Sequence, residues 1–325
     1  MRFELNIAAG AVGSRLILAD VFDGLRSLPA ESVHCVVTSP PYWSLRDYGV
    51  SGQFGLEPSF ADYLHNMAAV FAEVWRVLRP DGTLWLNMGD AYAAGGFPPI
   101  GFKRKDLIGQ PWRLAFRLQA DGWYLRRDII WEKPNPMPES TRDRPTTAHE
   151  YVFLMTKAEH YFYDADAIRE PVTSGETLQT RNKRSVWRVV PAPFPGHFAT
   201  FPPKLIEPMI LAGTSAAGCC SACGSQHKRQ IKLSGGTGKS WHDHEDDLVR
   251  GQRIETLSKT YKRETTGWSP GCQCSAGVVP AVVLDPFGGS GTTALVANRL
   301  GRSAILIDLN AKYTAIQLRR LVENR

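Results

Sequence analysis

Val279-Pro-Ala-Val-Val-Leu-Asp285-Pro-Phe-Gly-Gly-Ser-Gly-Thr-Thr293 is the stretch whose reading decides the fold. The apolar run Val279 to Leu284 predicts a buried strand, and the residues after it predict a glycine-rich turn and a helix reaching about Leu300. A second strand over Ser303 to Ile307 ends at Asp308. Glycines let a ligand approach the backbone, and an acid at the tip of the next strand is placed to accept hydrogen bonds from ribose hydroxyls. The pattern predicts the nucleoside-binding end of a parallel sheet. It is not the Gly-x-Gly-x-x-Gly turn of a nicotinamide site, because Asp285, Pro286 and Phe287 precede Gly288, Gly289, Ser290, Gly291 and Thr292. A carboxylate at that point suits a cationic ligand better than a pyrophosphate. Read alone, a plain strand-to-helix turn stays open.

Outward from this stretch, the second informative segment is Thr38-Ser39-Pro40-Pro41-Tyr42-Trp43, at the end of the apolar run Val33 to Val37. Consecutive prolines fix two φ angles and remove two backbone donors, so the strand must stop in a rigid loop rich in carbonyl acceptors. Ser39 adds a hydroxyl acceptor before the turn and Tyr42 a flat ring after it, which suits a planar substrate carrying an exocyclic amine. A strand-ending turn with a core aromatic is the other reading of these residues alone.

Between the two segments, strands and helices alternate. Arg15 to Ala19 reads as a strand ending in Asp20, Asp23 to Leu28 as a short helical turn, and Leu64 to Leu78 as an amphipathic helix closed by Pro80-Asp81-Gly82. Strands are expected over Thr83 to Met88, Tyr124 to Trp131 and Tyr151 to Met155, with helices over Leu107 to Leu118, from about Pro203 and from Lys312. This alternation predicts an α/β, doubly wound, mostly parallel sheet covered by helices. Ala91 to Lys105, Lys133 to Arg144 and Glu170 to Arg184 read as surface connections. The chain of 325 residues, 43% hydrophobic, supports a sizeable core, and its net charge of +6 favours a polyanionic partner weakly. Neither a signal-like start nor an apolar run of membrane-spanning length is apparent, so a soluble cytoplasmic protein with no membrane partner is expected.

The two segments together resemble the DNA amino-methyltransferases that use S-adenosylmethionine and modify cytosine-N4 or adenine-N6. With the Pro-Pro segment first and the glycine loop last, the order resembles the permuted beta group. His197-Phe-Ala-Thr-Phe-Pro-Pro-Lys204 is similar to the family segment that precedes the glycine loop and contacts the cofactor's methionine part. The resemblance implies a Rossmann-like methyltransferase fold, with Thr38, Phe201, Lys204 and Asp285 to Thr292 around the methionine and sugar. Asp308 would take the ribose and Asp20 would lie near the adenine. Ser39, Pro40, Pro41 and Tyr42 would hold a base flipped out of double-stranded DNA, since a paired amine is beyond reach. Tyr42 would stack on that base while Ser39 and the Pro40 carbonyl accept its amino hydrogens. No cysteine nucleophile is required, and Cys35 reads as core. Ser39 is commoner among the cytosine-N4 enzymes and favours cytosine; adenine-N6 is the alternative. A cognate restriction endonuclease is a further partner that the resemblance implies; the oligomeric state stays open. Methylation of RNA or of a protein amide, and a catalytically silent zinc protein that binds nucleic acid, are the competing readings.

Residues 213–277 break the composition, and five of the six cysteines sit at their two ends. The expected division is therefore 1–212 as the target-base half of a catalytic domain, 213–277 as an insertion and 278–325 as the cofactor half. Cys220 and Cys223 have knuckle spacing, and Cys272 and Cys274 supply two more thiolates, a set suited to structural tetrahedral zinc. Cys219 or one of His227, His242 and His244 could substitute for a member of this set. Lys228, Arg229, Lys232 and Lys239 could then face DNA. Gly235 to Ser240 ends like a phosphate loop but lacks the required first glycine and a preceding strand.

Overall fold

The computed structural model describes residues 3–9, 12–93, 101–172, 180–192, 194, 200–234 and 262–324. Its strands are β1 Phe3–Ala9, β2 Val12–Leu18, β3 Val33–Thr38, β4 Leu78–Met88, β5 Tyr124–Glu132, β6 His149–Thr156, β7 Glu170–Pro171, β8 Thr180–Arg181, β9 Val186–Arg188, β10 Cys219–Cys220, β11 Lys228–Ser234, β12 Lys262–Ser269, β13 Val278–Val279, β14 Val282–Asp285 and β15 Ser303–Asp308. The helices are α1 Val21–Arg26, α2 Phe60–Val77, α3 Gln110–Ala120, α4 Pro203–Gly213, α5 Thr292–Arg299 and α6 Ala311–Glu323.

Nine strands form one sheet in the order β1-β2-β15-β14-β3-β4-β6-β5-β9. The pairs β2/β15, β15/β14, β14/β3, β3/β4 and β5/β9 are parallel, while β1 and β6 run against their neighbours. A parallel sheet must be covered on both faces, and the side chains divide accordingly. Leu84, Leu86 and Met88 of β4 join one core with residues of α1, α2 and α3. Trp85 of the same strand turns to the other core, with Cys35, Val37 and residues of α4 and α5.

Three local readings differ from the structure. Pro280 divides the expected strand Val279 to Leu284: Val278 and Val279 pair with the cysteine segment Cys219–Cys220, and β14 starts at Val282. A residue with no N–H cannot continue a central ladder. The strand after α2 starts at Leu78, and its Pro80 to Gly82 piece bulges out of the ladder, between the pairs Val33↔Leu78 and Cys35↔Thr83. The β1/β2 hairpin extends the sheet beyond the expected first strand, braced by an Arg15–Glu4 ion pair at 2.5 Å. Part of residues 213–277 is regular as well, since β11 and β12 form an antiparallel ribbon. The phosphate-loop decoy, Lys239, His242 and His244 lie outside the described residues, as do His197 to Ala199 and part of the connection after Ala93.

Candidate active site

β14 leads through α5 to its neighbour β15 on one side, whereas β3 leads through α2 to β4 on the other. The order reverses between β14 and β3, and a crevice opens at their carboxyl ends. Both segments singled out in the sequence leave the sheet there. Thr38 Oγ1 donates to Asp285 Oδ1 at 2.8 Å, joining the two loops across 247 residues. A cavity of about 630 Å³ lies over this junction. Its lining includes Asp20, Ser39, Pro40, Pro41, Tyr42, Phe201, Asp285 to Ser290, Thr292 and Asp308. Thr38 is buried behind this wall, and Gly291, at φ 80°, caps the start of α5. Lys204 is exposed in the first turn of α4 and does not line the cavity, whereas Thr200 and Phe201 of the same segment do.

The glycine loop is tightly held. Asp285 accepts from Thr38, from the Phe287 amide at 3.1 Å and from Thr293 Oγ1 at 2.7 Å. Burial pushes its carboxyl up to about 6 against these donors. Asp308 accepts from the amides of Gly289 and Asn310, each at 2.8 Å. Burial pushes it up to about 7, and the nearby Asp285 charge adds to the shift. From α6, Gln317 Nε2 donates to the Gly289 carbonyl at 3.0 Å and Arg320 Nη1 to the Ser290 carbonyl at 2.7 Å. Aromatic rings surround the acids, with Phe54 edge-on to Phe287 and Tyr48 edge-on to Tyr313, both at 6.4 Å. Asp20 turns its carboxylate onto the Phe22 amide at 2.8 Å and caps α1.

The Pro-Pro loop is equally fixed. Tyr63 Oη donates to the Pro41 carbonyl at 2.9 Å, the Trp43 amide to Gln110 Oε1 at 3.0 Å and the Ser44 amide to the Gly55 carbonyl at 2.8 Å. Gly55 is required here: its φ is +94° and a Cβ would stand 2.8 Å from the Tyr42 carbonyl oxygen. The sequence reading missed the residues behind Tyr42. Tyr42 Oη lies 3.1 Å from Ser39 Oγ and donates to Glu150 Oε2 at 2.9 Å. Asn87 Nδ2 donates to the same carboxylate oxygen at 2.9 Å, and Lys133 Nζ to Oε1 at 2.5 Å. Burial, then the Glu150 charge, hold the Tyr42 phenol well above its usual range. Asn87 is the last residue but one of an expected strand and Glu150 immediately precedes another; a polar residue near a strand end was the available signal.

The cysteine cluster lies elsewhere. Sγ atoms of Cys220, Cys223, Cys272 and Cys274 all fall within 4.8 Å of one another, a spacing that tetrahedral zinc accepts. Cys219 is not among them; it donates to the Val279 carbonyl at 3.4 Å, and burial pushes its thiol up to about 11. The knuckle docks at the opposite end of the central strands from the cavity. His34 Nε2 bonds the Gly224 carbonyl at 2.9 Å, its Nδ1 accepts from the Val282 amide at 3.0 Å, and Arg79 Nη1 donates to the Cys223 carbonyl at 2.8 Å. His34 stands near the amino end of β3, whereas Thr38 ends that strand at the cavity, roughly 13 Å away at strand rise. Arg229, expected to face DNA, is bidentate on Asp164 at 2.8–2.9 Å and covers the Trp268 ring. Lys228 and Lys232 are exposed.

Known proteins resemble the chain over nearly its whole length. The Type II methyltransferase M.XycI of Xanthomonas campestris pv. cyanopsidis is 43% identical over 95% of this chain and 88% of its own. M.SmaI of Serratia marcescens is 38% identical over 96% and 91%. Among solved structures, the cytosine-N4-specific PvuII DNA methyltransferase superposes with a TM-score of 0.60 at 21% identity, covering 94% of this chain and 86% of that one. A putative DNA modification methylase of Thermus thermophilus, complexed with S-adenosyl-L-methionine, superposes with a TM-score of 0.54 at 24% identity, covering 94% of each. Residues 33–220 and 280–319 match the family model described as DNA methylase (N6_N4_Mtase). Both loops of the cavity fall inside these segments, and the chain belongs to this N6/N4 DNA methylase family.

Proposed function

We propose that this DNA methylase transfers a methyl group from S-adenosylmethionine to the exocyclic amine of a base flipped out of duplex DNA, at a specific sequence, with cytosine-N4 as the acceptor. The observation that carries the reading is the single cavity shared by the Asp285–Asp308 loop pair and the Ser39–Tyr42 loop, bonded to each other through Thr38. The donor set fits the cofactor. Asp20, Asp285 and Asp308 suit a cationic ligand with ribose hydroxyls, and Phe54, Phe287, Tyr48 and Tyr313 suit its adenine and thioether surroundings. When bound, S-adenosylmethionine supplies an electrophilic methyl group on sulfur.

The chain's own residues would do the rest. Ser39 Oγ and the Pro40 carbonyl would accept the two amino hydrogens, drawing the nitrogen out of conjugation so that its lone pair can face the methyl carbon. Tyr42 would stack on the extruded ring. Ser39 favours cytosine over adenine because it stands where the adenine enzymes usually have an acid or amide. Incubation with labelled S-adenosylmethionine and mixed-sequence duplex, followed by nucleoside mass spectrometry, should give N4-methylcytosine. N6-methyladenine would move the reading to its alternative, and C5-methylcytosine would reject the mechanism.

The relatives are Type II methyltransferases, which supports a cytoplasmic enzyme paired with a restriction endonuclease. In the same reading Cys220, Cys223, Cys272 and Cys274 hold one structural zinc. Four thiolates leave no open coordination position, so the metal would close the ends of the 213–277 insertion rather than take part in the reaction.

A further inference from the structure

The network behind Tyr42 has a direction. Tyr42 Oη gives its hydrogen to Glu150 Oε2 at 2.9 Å and accepts from Asn87 Nδ2 at 3.1 Å; with that hydrogen committed, Ser39 Oγ, 3.1 Å from Tyr42 Oη, can act towards it only as a donor. With its hydrogen turned to Tyr42 and one lone pair facing Asn87 Nδ2 at 3.4 Å, Ser39 Oγ keeps a second lone pair for the cavity that it lines. Glu150 also lines the cavity, and its two oxygens are divided: Oε1 takes Lys133 at 2.5 Å, while Oε2 takes Tyr42 and Asn87. An ion pair kept only to hold β6 against the loop after β5 would need the first oxygen alone. Gly89 leaves room for the arrangement, since a Cβ there would lie 3.0 Å from the Tyr42 ring and 3.2 Å from the Glu150 carboxyl carbon.

Resting on the amine reading above, we propose that Glu150 is the terminal proton acceptor of the methyl transfer, reached through the relay Ser39 Oγ to Tyr42 Oη to Glu150 Oε2. As the amine nitrogen forms its bond to the methyl carbon, the carbon–sulfur bond breaks to leave a neutral thioether, and the nitrogen carries one proton too many. That proton passes to Ser39 Oγ, the serine hydroxyl proton to Tyr42 Oη and the phenol proton to Glu150, which becomes a neutral acid and later exchanges with solvent. Charge balances, because the sulfonium and the carboxylate are both neutralised. The proton leaves a cationic nitrogen and is strongly acidic, so a carboxylate is base enough. With its phenol held well above the usual range, Tyr42 conducts the proton without resting as phenolate. By this assignment Glu150, acting through Tyr42, is a positioning residue that the motifs do not contain.

The test is single-turnover methylation by the full chain, with S-adenosylmethionine and duplex DNA affinities measured in parallel. Wild type must first place the label on an exocyclic amine; a different product or none defeats the underlying reading, whatever Glu150 does. Given that product, E150Q keeps shape and an acceptor for Tyr42 but cannot take the proton, and should slow transfer by about 100-fold or more, in the range of general base catalysis, with both affinities within about threefold. E150A should be slowed similarly and recovered at least about tenfold by sodium formate but not by sodium chloride. An E150Q rate within about threefold of wild type, or no recovery by formate, overturns the relay. Should E150Q bind either ligand poorly or unfold, Y42F decides, because it keeps the ring and deletes the middle oxygen: full activity overturns the relay, and a loss of about 30-fold or more supports it.

Discussion

Thr38 Oγ1 donates to the buried Asp285 Oδ1 at 2.8 Å and so ties the loop that would hold the target base to the loop that would hold the cofactor. Both partners are essentially inaccessible to solvent, which makes the bond costly to remove.

T38A should destabilise the chain by about 1–3 kcal/mol, the cost of leaving a buried acceptor short of a donor. That corresponds to a fall of several degrees in unfolding temperature, at about 2–4 °C per kcal/mol for large domains. T38S, which keeps the hydroxyl, should lose far less. Thermal unfolding measures both, and a T38A protein melting with wild type would refute the coupling.

Cofactor affinity should fall with acidity. Asp308 is pushed up to about 7 from its usual 3.8, so the folded protein without cofactor holds a proton that the unfolded chain releases. This contribution to stability is full below about pH 4 and is lost as pH rises through about 7. In the proposed role ribose hydroxyls would donate to the ionised form, so binding would expel the proton, and affinity should weaken by up to about tenfold per unit below pH 7. Calorimetry in buffers of different ionisation enthalpy should show proton release near neutrality, absent in D308N. A pH-independent wild-type affinity between 5 and 7.5 would count against this role.

Gly89 faces both Tyr42 and Glu150, with room for no side chain between them. G89A should displace the Tyr42 ring at a stability cost of about 1–3 kcal/mol, typical of overpacking. Methylation should drop at least about tenfold while S-adenosylmethionine binding stays near wild type. Unchanged turnover would mean that the ring's place is not critical.

On the proposed reading of the four clustered thiolates, purified protein should carry about one zinc per chain. C272S should abolish it and lower the unfolding temperature, whereas cofactor affinity at 25 °C should hold, since the knuckle docks at the far end of the strands through His34 and Arg79. Burial lowers His34 to about 4, so the neutral imidazole that bridges Gly224 and Val282 persists at neutral pH. Native mass spectrometry that finds metal-free protein with the wild-type melting temperature would exclude the site.

Much of the sheet was legible because its signals are local. The apolar run Val33 to Val37 and the Pro-Pro stop after it, or the glycines between β14 and α5, act through neighbours a few residues away. Pro280 shows the limit of run length as a guide: the run continues through it, but the missing amide divides the strand. The cysteine spacing was legible too, and the four sulfurs do converge.

By itself, then, the sequence determined the alternation of elements, the two loops with their acids and hydroxyl, and the thiolate set, all short-range consequences of φ restriction, periodicity and spacing. Only the tertiary structure decided that Tyr42 meets Glu150 across 108 residues, that Arg229 is spent on Asp164, and that the knuckle sits at the end of the strands opposite the cavity. The reason is sheet order: which strand lies beside which, and in which direction, is settled by packing both faces of one nine-stranded sheet, and no local pattern encodes it.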